Sequence, residues 1–406
     1  MSWSDLENRY GDDRVSSACG LFGFIDTTGE RHDGQAAISA LTSMKERGNG
    51  LGAGYAVYGC YPQLAEAYAL HVMCRTEDDR KEMARYLAGA FEIVHQEPLP
   101  VHSSAGVVDA PLIWRFFCVP RQADDGDKDA DEYVVRAVMT ANTRMEGAYV
   151  YSSGKNLGMF KGVGHPEEIA EYFRVADYAG YLWTAHNRFP TNTPGWWGGA
   201  HPFGLLDWSV VHNGEISSYG TNRRYLETKG YHCTMRTDTE VMAYAADLLM
   251  RRHELPAELT AAVFASPLWN ELEQEPPKRR ALLTALRQTY GSLLMNGPFT
   301  IIVARQGELM GLSDRIRLRP LVAATQGDVL YADLPPVEVV DMRAELRGGN
   351  SSIFSQALHD AMVEALAAEQ QVILFLNRRG NATFVQCRDC GHVLACPRCE
   401  LPLTYH

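Results

Sequence analysis

Cys19 stands in Ala18-Cys19-Gly20, at the front of an apolar run and behind a short polar leader. By itself a free cysteine reads as a small buried hydrophobe. It has a chemical reading as well. Removal of residues 1–18 would expose the α-amino group of Cys19, and that amine, with an ordinary pKa of about 8, can serve as general base for its own thiol. Such a nucleophile needs an oxyanion hole and, for an amino-acid substrate, handles for a carboxylate and an ammonium. His212-Asn213-Gly214-Glu215 closes an apolar strand, so the Asn213 side-chain amide and the Gly214 N–H can both face a developing oxyanion. Asn-Gly is also a common turn. Arg188, in HNRFPTNT, can clamp a carboxylate bidentately, with Thr191 adding a hydroxyl. Asp238, in RTDTE, can receive an α-ammonium, although an acid there is equally good helix capping. Arg188 and Asp238 together point to the amide of a free amino acid. His186 reads as structural, because the α-amine already supplies a base.

A second constellation lies at the other end of the chain. Cys387-x2-Cys390-x5-Cys396-x2-Cys399 offers two thiolate pairs, each able to give zinc two tetrahedral ligands. The other five cysteines are scattered singly, which fits reduced thiols plus a metal cluster and not a disulfide scaffold.

The elements that must position these groups follow from periodicity. Residues 19–26 and 51–58 read as strands, with a helix from Gln35 to Glu46 between them. The acidic stretch 123–132 reads as a solvated loop. The runs YVVRAVMTA, GAYVYSS, LGMFKGV, GYLWTAHNRF and DWSVVHNGEI read as strands in close succession, which implies antiparallel sheets. A helix follows Thr239, with Asp238 or Thr239 at its start, and residues 256–293 are mostly helical. GPFTIIVARQGELMGLSD then returns to a hairpin. Strand blocks with helix blocks give an α+β layered domain. A boundary falls at 333–336, followed by a strand, a helix from Ile353 to Glu369 and a buried strand, QVILFL. Two lookalikes fail on context. Gly48-x-Gly50-x-x-Ala53 has a helix before it and a strand after it, the reverse of a dinucleotide site, and Gly154-Lys155 lacks the upstream glycine of a P-loop.

The chain has 406 residues, 46% hydrophobic and 22% charged, with a formal net charge of −12. This describes a globular protein large enough for two domains, and it disfavours a chain-wide nucleic-acid footprint. No apolar run is long enough for a membrane span, and the leader has no apolar core of the secretory kind, so the expected compartment is the cytoplasm.

ACGLFGF, KERGNG, TAHNRFPTNT, HNGEI and TDTE, in this order, resemble the class II glutamine amidotransferase domain, a member of the Ntn-hydrolase fold. YSSGKNLGMFKGVG and HNRFPTNTPGWWGGAHPF resemble the version found in glutamate synthases and their stand-alone amidotransferase subunits. The resemblance covers about residues 15–333, with the domain taken as 19–333 behind a leader 1–18. It implies a four-layer αββα sandwich, release of ammonia from L-glutamine and no cofactor for this domain. It makes Cys19 the nucleophile, Asn213 and Gly214 the oxyanion hole, Arg47 and Gly48 glutamine-site residues, Arg188 and Thr191 carboxylate contacts and Asp238 the ammonium contact. A separate glutamate synthase or other ammonia-acceptor subunit is the implied partner.

Residues 334–406 resemble the primosomal replication-restart helicases, over the start of the second motor lobe and the first half of the zinc region. In that family the two CxxC pairs belong to different zinc sites completed by later pairs. The expectation is therefore either one four-cysteine zinc site or two half-sites. The ATP-binding lobe is absent from the resemblance, so no helicase activity is implied. Eight acids offset six basic residues here, which makes DNA an unlikely partner of this segment. The join reads as a chimera, whether a gene fusion or an artificial or accidental junction.

Overall fold

The computed structural model describes residues 19–104, 106–121, 127–189, 195–334, 340, 342–350, 352 and 354–367. The chain divides into two compact units, residues 1–335 and 336–406.

The first unit is built on a six-stranded antiparallel sheet. Its strand order is Val322–Gln326, Val329–Asp333, Gly20–Asp26, Leu182–Asn187, Ala53–Tyr58 and Leu157–Gly162. The four last-named strands are buried along their whole length. That explains their runs of apolar and small residues without strict alternation, since both faces are covered. One face meets a second antiparallel sheet, ordered Phe203–Leu205, Trp208–Gly214, Phe299–Arg305 and Glu308–Ser313. The sheets approach closely at Gly23, where an added Cβ would lie 3.3 Å from Ile302 Cγ2. The outer face of the six-stranded sheet carries helices Gln35–Ser43 and Pro166–Tyr172. Helix Asp238–Ala246 covers the second sheet and is in turn backed by Tyr219–Glu227. Every residue from Thr239 to Ala246 is therefore buried. The packing order is helices, sheet, sheet, helices, and all pairings are antiparallel.

A third sheet, ordered Phe91–Pro98, Leu112–Pro120, Tyr68–Cys74 and Ala148–Ser152, extends the unit, with helices Glu77–Ala90 and Asp127–Arg144 against it. The second of these helices corrects the sequence reading. Residues 133–141 form no strand despite their Val and Thr content, and the expected loop gives way to helix from Asp127 onward. Val134, Val135, Val138 and Ala141 are buried, a spacing that lines one face of a helix and not of a strand. Tertiary burial overrides β-propensity here.

In the second unit the described residues form helices Met342–Arg347 and Gln356–Ala367. QVILFL lies outside the described residues. Among those described, no helix is long and apolar enough to cross a membrane.

Candidate active site

Register brings the sequence motifs to one end of the two central sheets. Gly20 pairs with Asn187, and Asn187 with Ala53, so Cys19, Arg188 and Gly52 emerge together from three adjacent strands. Asn213 and Gly214 end the facing sheet's strand, paired with Thr300 and Phe299.

Cys19 is half-buried, and its Sγ accepts a hydrogen bond from the Phe189 N–H at 3.3 Å. Burial pushes the thiol pKa up, against the Phe189 N–H and the Arg188 charge that pull it down, while the Asp238 charge adds to the rise. The resting sulfur is therefore a thiol, and attack requires a base to take its proton. His186 is a poor base for it. Burial pushes its pKa to about 3, and its Nε2 is engaged with the His212 carbonyl at 2.8 Å.

Arg47 ends a single 3₁₀ turn, Lys45–Arg47, and its Nε donates to the Cys19 carbonyl at 3.2 Å. The turn is held by Asn187, whose Nδ2 donates to the Met44 and Lys45 carbonyls at 2.9 and 3.2 Å. Gly48 follows, and a Cβ there would fall 2.0 Å from Asn187 Oδ1, so only glycine lets the turn close on the strand. Arg47 thus lies beside the Cys19 backbone, with Gly48 next to it in the chain. Asn187 is a positioning residue that the motif reading passed over.

Arg188 is almost fully buried, its N–H donating to the Gly52 carbonyl at 2.8 Å. Both the Cys19 thiol and the Asp238 carboxylate act on its charge. Thr191 lies outside the described residues. Asn213 is buried, and its Nδ2 has no hydrogen-bond partner, a desolvated donor that costs about 1–3 kcal/mol. Gly214 has φ +139°, and an added Cβ would meet the Pro298 carbonyl oxygen at 2.0 Å. This position accepts only glycine. The Asn-Gly pair is no hairpin turn, because it belongs to the paired part of its strand.

Asp238 opens its helix after the Thr237 cap and accepts from the Ile216 N–H at 3.2 Å. The Cys19 thiol, the Arg188 guanidinium and the Asp238 carboxylate thus lie within electrostatic reach of one another. Their polarity suits an amino acid whose side-chain amide is presented to sulfur. Behind them, Lys161 is buried, with Nζ 4.0 Å from the Phe203 ring centroid and donating to the Gly198 carbonyl at 3.3 Å. Its partner in charge is Glu240, which accepts from the Thr234 and Met235 N–H groups at 2.9 Å each. Burial pushes each of the two toward neutrality.

Cys387, Cys390, Cys396 and Cys399 lie outside the described residues, and among the described residues no cluster of His, Cys, Asp and Glu could hold a metal ion.

Residues 82–251 match the family described as glutamine amidotransferases class II. An uncharacterized protein of Archaeoglobus fulgidus is 55% identical over 323 residues, which cover 79% of this chain and 85% of that one. A glutamine–fructose-6-phosphate aminotransferase (isomerizing) of Vibrio vulnificus is 30% identical over 231 residues, covering 53% of this chain and 35% of that one. The replication restart protein PriA of Synechocystis is 50% identical over 101 residues, 25% of this chain. The chain spans 11% of that PriA and about a third of the aminotransferase.

Proposed function

We propose, from the premise that the chain is a class II amidotransferase enzyme of one family with the Archaeoglobus fulgidus protein, that it hydrolyses L-glutamine to glutamate and ammonia with Cys19 as N-terminal nucleophile. The observation that supports this reading is that the Cys19 thiol, Arg188 and Asp238 lie within electrostatic reach of one another, a cation and an anion of the two kinds that an amino acid's charges call for. Once residues 1–18 are removed, the α-amine of Cys19 takes the thiol proton, and Sγ attacks the carboxamide carbon. The oxyanion forms against Asn213 Nδ2 and the Gly214 N–H. Collapse expels ammonia, protonated by the α-ammonium, and leaves a glutamyl thioester. Water, activated by the same amine, releases glutamate. Arg188, with Thr191, holds the substrate carboxylate, Asp238 holds its ammonium, and Arg47 and Gly48 wall the site beside Cys19.

The fold is read as the αββα Ntn-hydrolase sandwich, a reading that the helix–sheet–sheet–helix packing of the first unit supports. The glutamate-synthase-like segments support a separate acceptor subunit for the ammonia, with the enzyme working in the cytoplasm. Co-purification with an acceptor subunit tests that part. For residues 334–406 the PriA likeness supports a zinc-binding segment through Cys387, Cys390, Cys396 and Cys399, fused to the amidotransferase, and metal analysis of the purified chain tests it.

The central test is glutamine hydrolysis by a chain whose N-terminus has been read by mass spectrometry. Cys19→Ala is expected to abolish turnover, by about 10³-fold or more. Full activity in a chain that retains residues 1–18 and carries Cys19→Ala would sink the mechanism.

A further inference from the structure

We propose that His212 is a positioning residue for Asp238, and that selectivity for a substrate bearing an α-ammonium rests on this buried imidazole. The inference deepens the glutaminase reading and rests on it. Asp238 Oδ1 lies 3.4 Å from His212 Nδ1, and Oδ2 accepts from the Ile216 N–H at 3.2 Å. The acid's side chain is 20% exposed and the imidazole's 2%, so Asp238 opens outward while His212 stands behind it. A carboxylate only accepts, so Nδ1 of His212 carries the hydrogen. Thr239 Oγ1 holds the same Nδ1 from a second side, at 3.3 Å. The other ring nitrogen, Nε2, is buried with no partner, so no competing contact turns the ring away from the acid.

The titratable groups nearest His212, Asp238 aside, are two buried histidines, with Arg188 and Lys161 as the cations that act on this cluster. From the neighbouring strand His186 donates Nε2–H to the His212 carbonyl, and it stacks on His201 with centroids 4.1 Å apart. His201 Nε2 in turn meets Thr239 Oγ1 at 2.6 Å. Burial keeps both of these rings neutral, His186 at about 3 and His201 well below its ordinary value. On the far side Ile301 pairs with His212 and brings no charge. The Arg188 charge is coupled to both the Asp238 carboxylate and the Cys19 thiol. Burial raises the Asp238 carboxyl, yet the His212 contact and the N–H groups of Ile216 and Thr239 bring it below the usual carboxylate range. His212 also precedes Asn213 directly, so the bond from His186 to its carbonyl steadies the peptide that carries the oxyanion donor.

The experiment compares L-glutamine with glutaramate, which is glutamine without its α-amino group, on the processed full chain. His212→Phe removes the donor, His212→Gln moves its amide away from the Nδ1 position, and His212→Asn keeps an N–H near that position. In the Phe and Gln variants KM for glutamine is expected to rise about tenfold or more while kcat changes little and KM for glutaramate holds. The acid limb of kcat/KM moves to higher pH, because Asp238 keeps the Ile216 N–H and the Thr239 hydroxyl but loses His212, and so ionises later. His212→Asn restores both readouts. Unchanged selectivity between the two amides in a folded Phe or Gln variant overturns the proposal, as does an equal loss on both substrates. A wild-type chain inert toward glutamine would instead refute the glutaminase reading itself.

Discussion

At the scale of single residues, Asn213 separates stability from catalysis. Its Nδ2 makes no hydrogen bond in the resting fold, so removing it breaks none there. If that amide waits for an oxyanion, Asn213→Ala is expected to lower kcat by about 10²–10³-fold with little change in KM and little loss of melting temperature. Steady-state kinetics beside thermal unfolding would show it, and a large stability loss with modest kinetic change would assign the residue to the fold instead. Gly214 is expected to behave oppositely. Gly214→Ala drives a Cβ into the Pro298 carbonyl oxygen at a backbone conformation that side chains avoid, so it should be lost first as folded protein. Cys19 joins the two kinds of effect, since the burial that favours its packing also keeps its sulfur protonated and dependent on a base.

At the scale of elements, the start of helix Asp238–Ala246 is held by the buried carboxyl of Glu240. Glu240 fastens the Thr234 and Met235 N–H groups and faces Lys161 through the electrostatic field. Glu240→Ala strips the acceptors from two N–H groups at the helix start. The expected cost is about 1–3 kcal/mol for each N–H left unpaired, read as a lowered urea midpoint. No short motif announces the Glu240–Lys161 pair, because its members lie 79 residues apart and neither is part of a catalytic signature. The same limit explains what else could be read. The Gly20–Asp26, Ala53–Tyr58, Leu182–Asn187 and Trp208–Gly214 strands were legible because apolar runs bounded by glycine or polar turns mark buried strands. Residues 133–141 were not, since Val134, Val135 and Val138 serve a helix face as well as a strand. The elements between Tyr68 and Pro120 carry no motif to anchor them. At the site, the motifs singled out Arg188, Asn213 and Asp238 as candidates. Asn187 and His212 act through what the strand register sets beside them, the Lys45–Arg47 turn and Asp238, and local pattern does not encode that.

At the scale of the whole molecule, the chain carries two resemblances that share no chemistry. The class II match falls at residues 82–251, within the unit 1–335, and that unit also holds all the candidate glutaminase residues, with Cys19, Arg47 and Gly48 ahead of the match. The four-cysteine cluster lies in the unit 336–406. The break at Pro335-Pro336 also follows directly on the last strand of the six-stranded sheet, Val329–Asp333, so a cut there removes no strand from it. Independent units predict separable losses. A chain ended after Pro335 is expected to keep kcat/KM for glutamine within about twofold of the full chain, while any bound zinc disappears from the metal analysis. The full chain treated with a chelator should likewise retain its glutaminase rate, because Cys19, Asn213 and Asp238 need no metal for thioester chemistry. Loss of activity on truncation or chelation would instead couple the two units, and the C-terminal segment would then have to be counted as part of the amidotransferase.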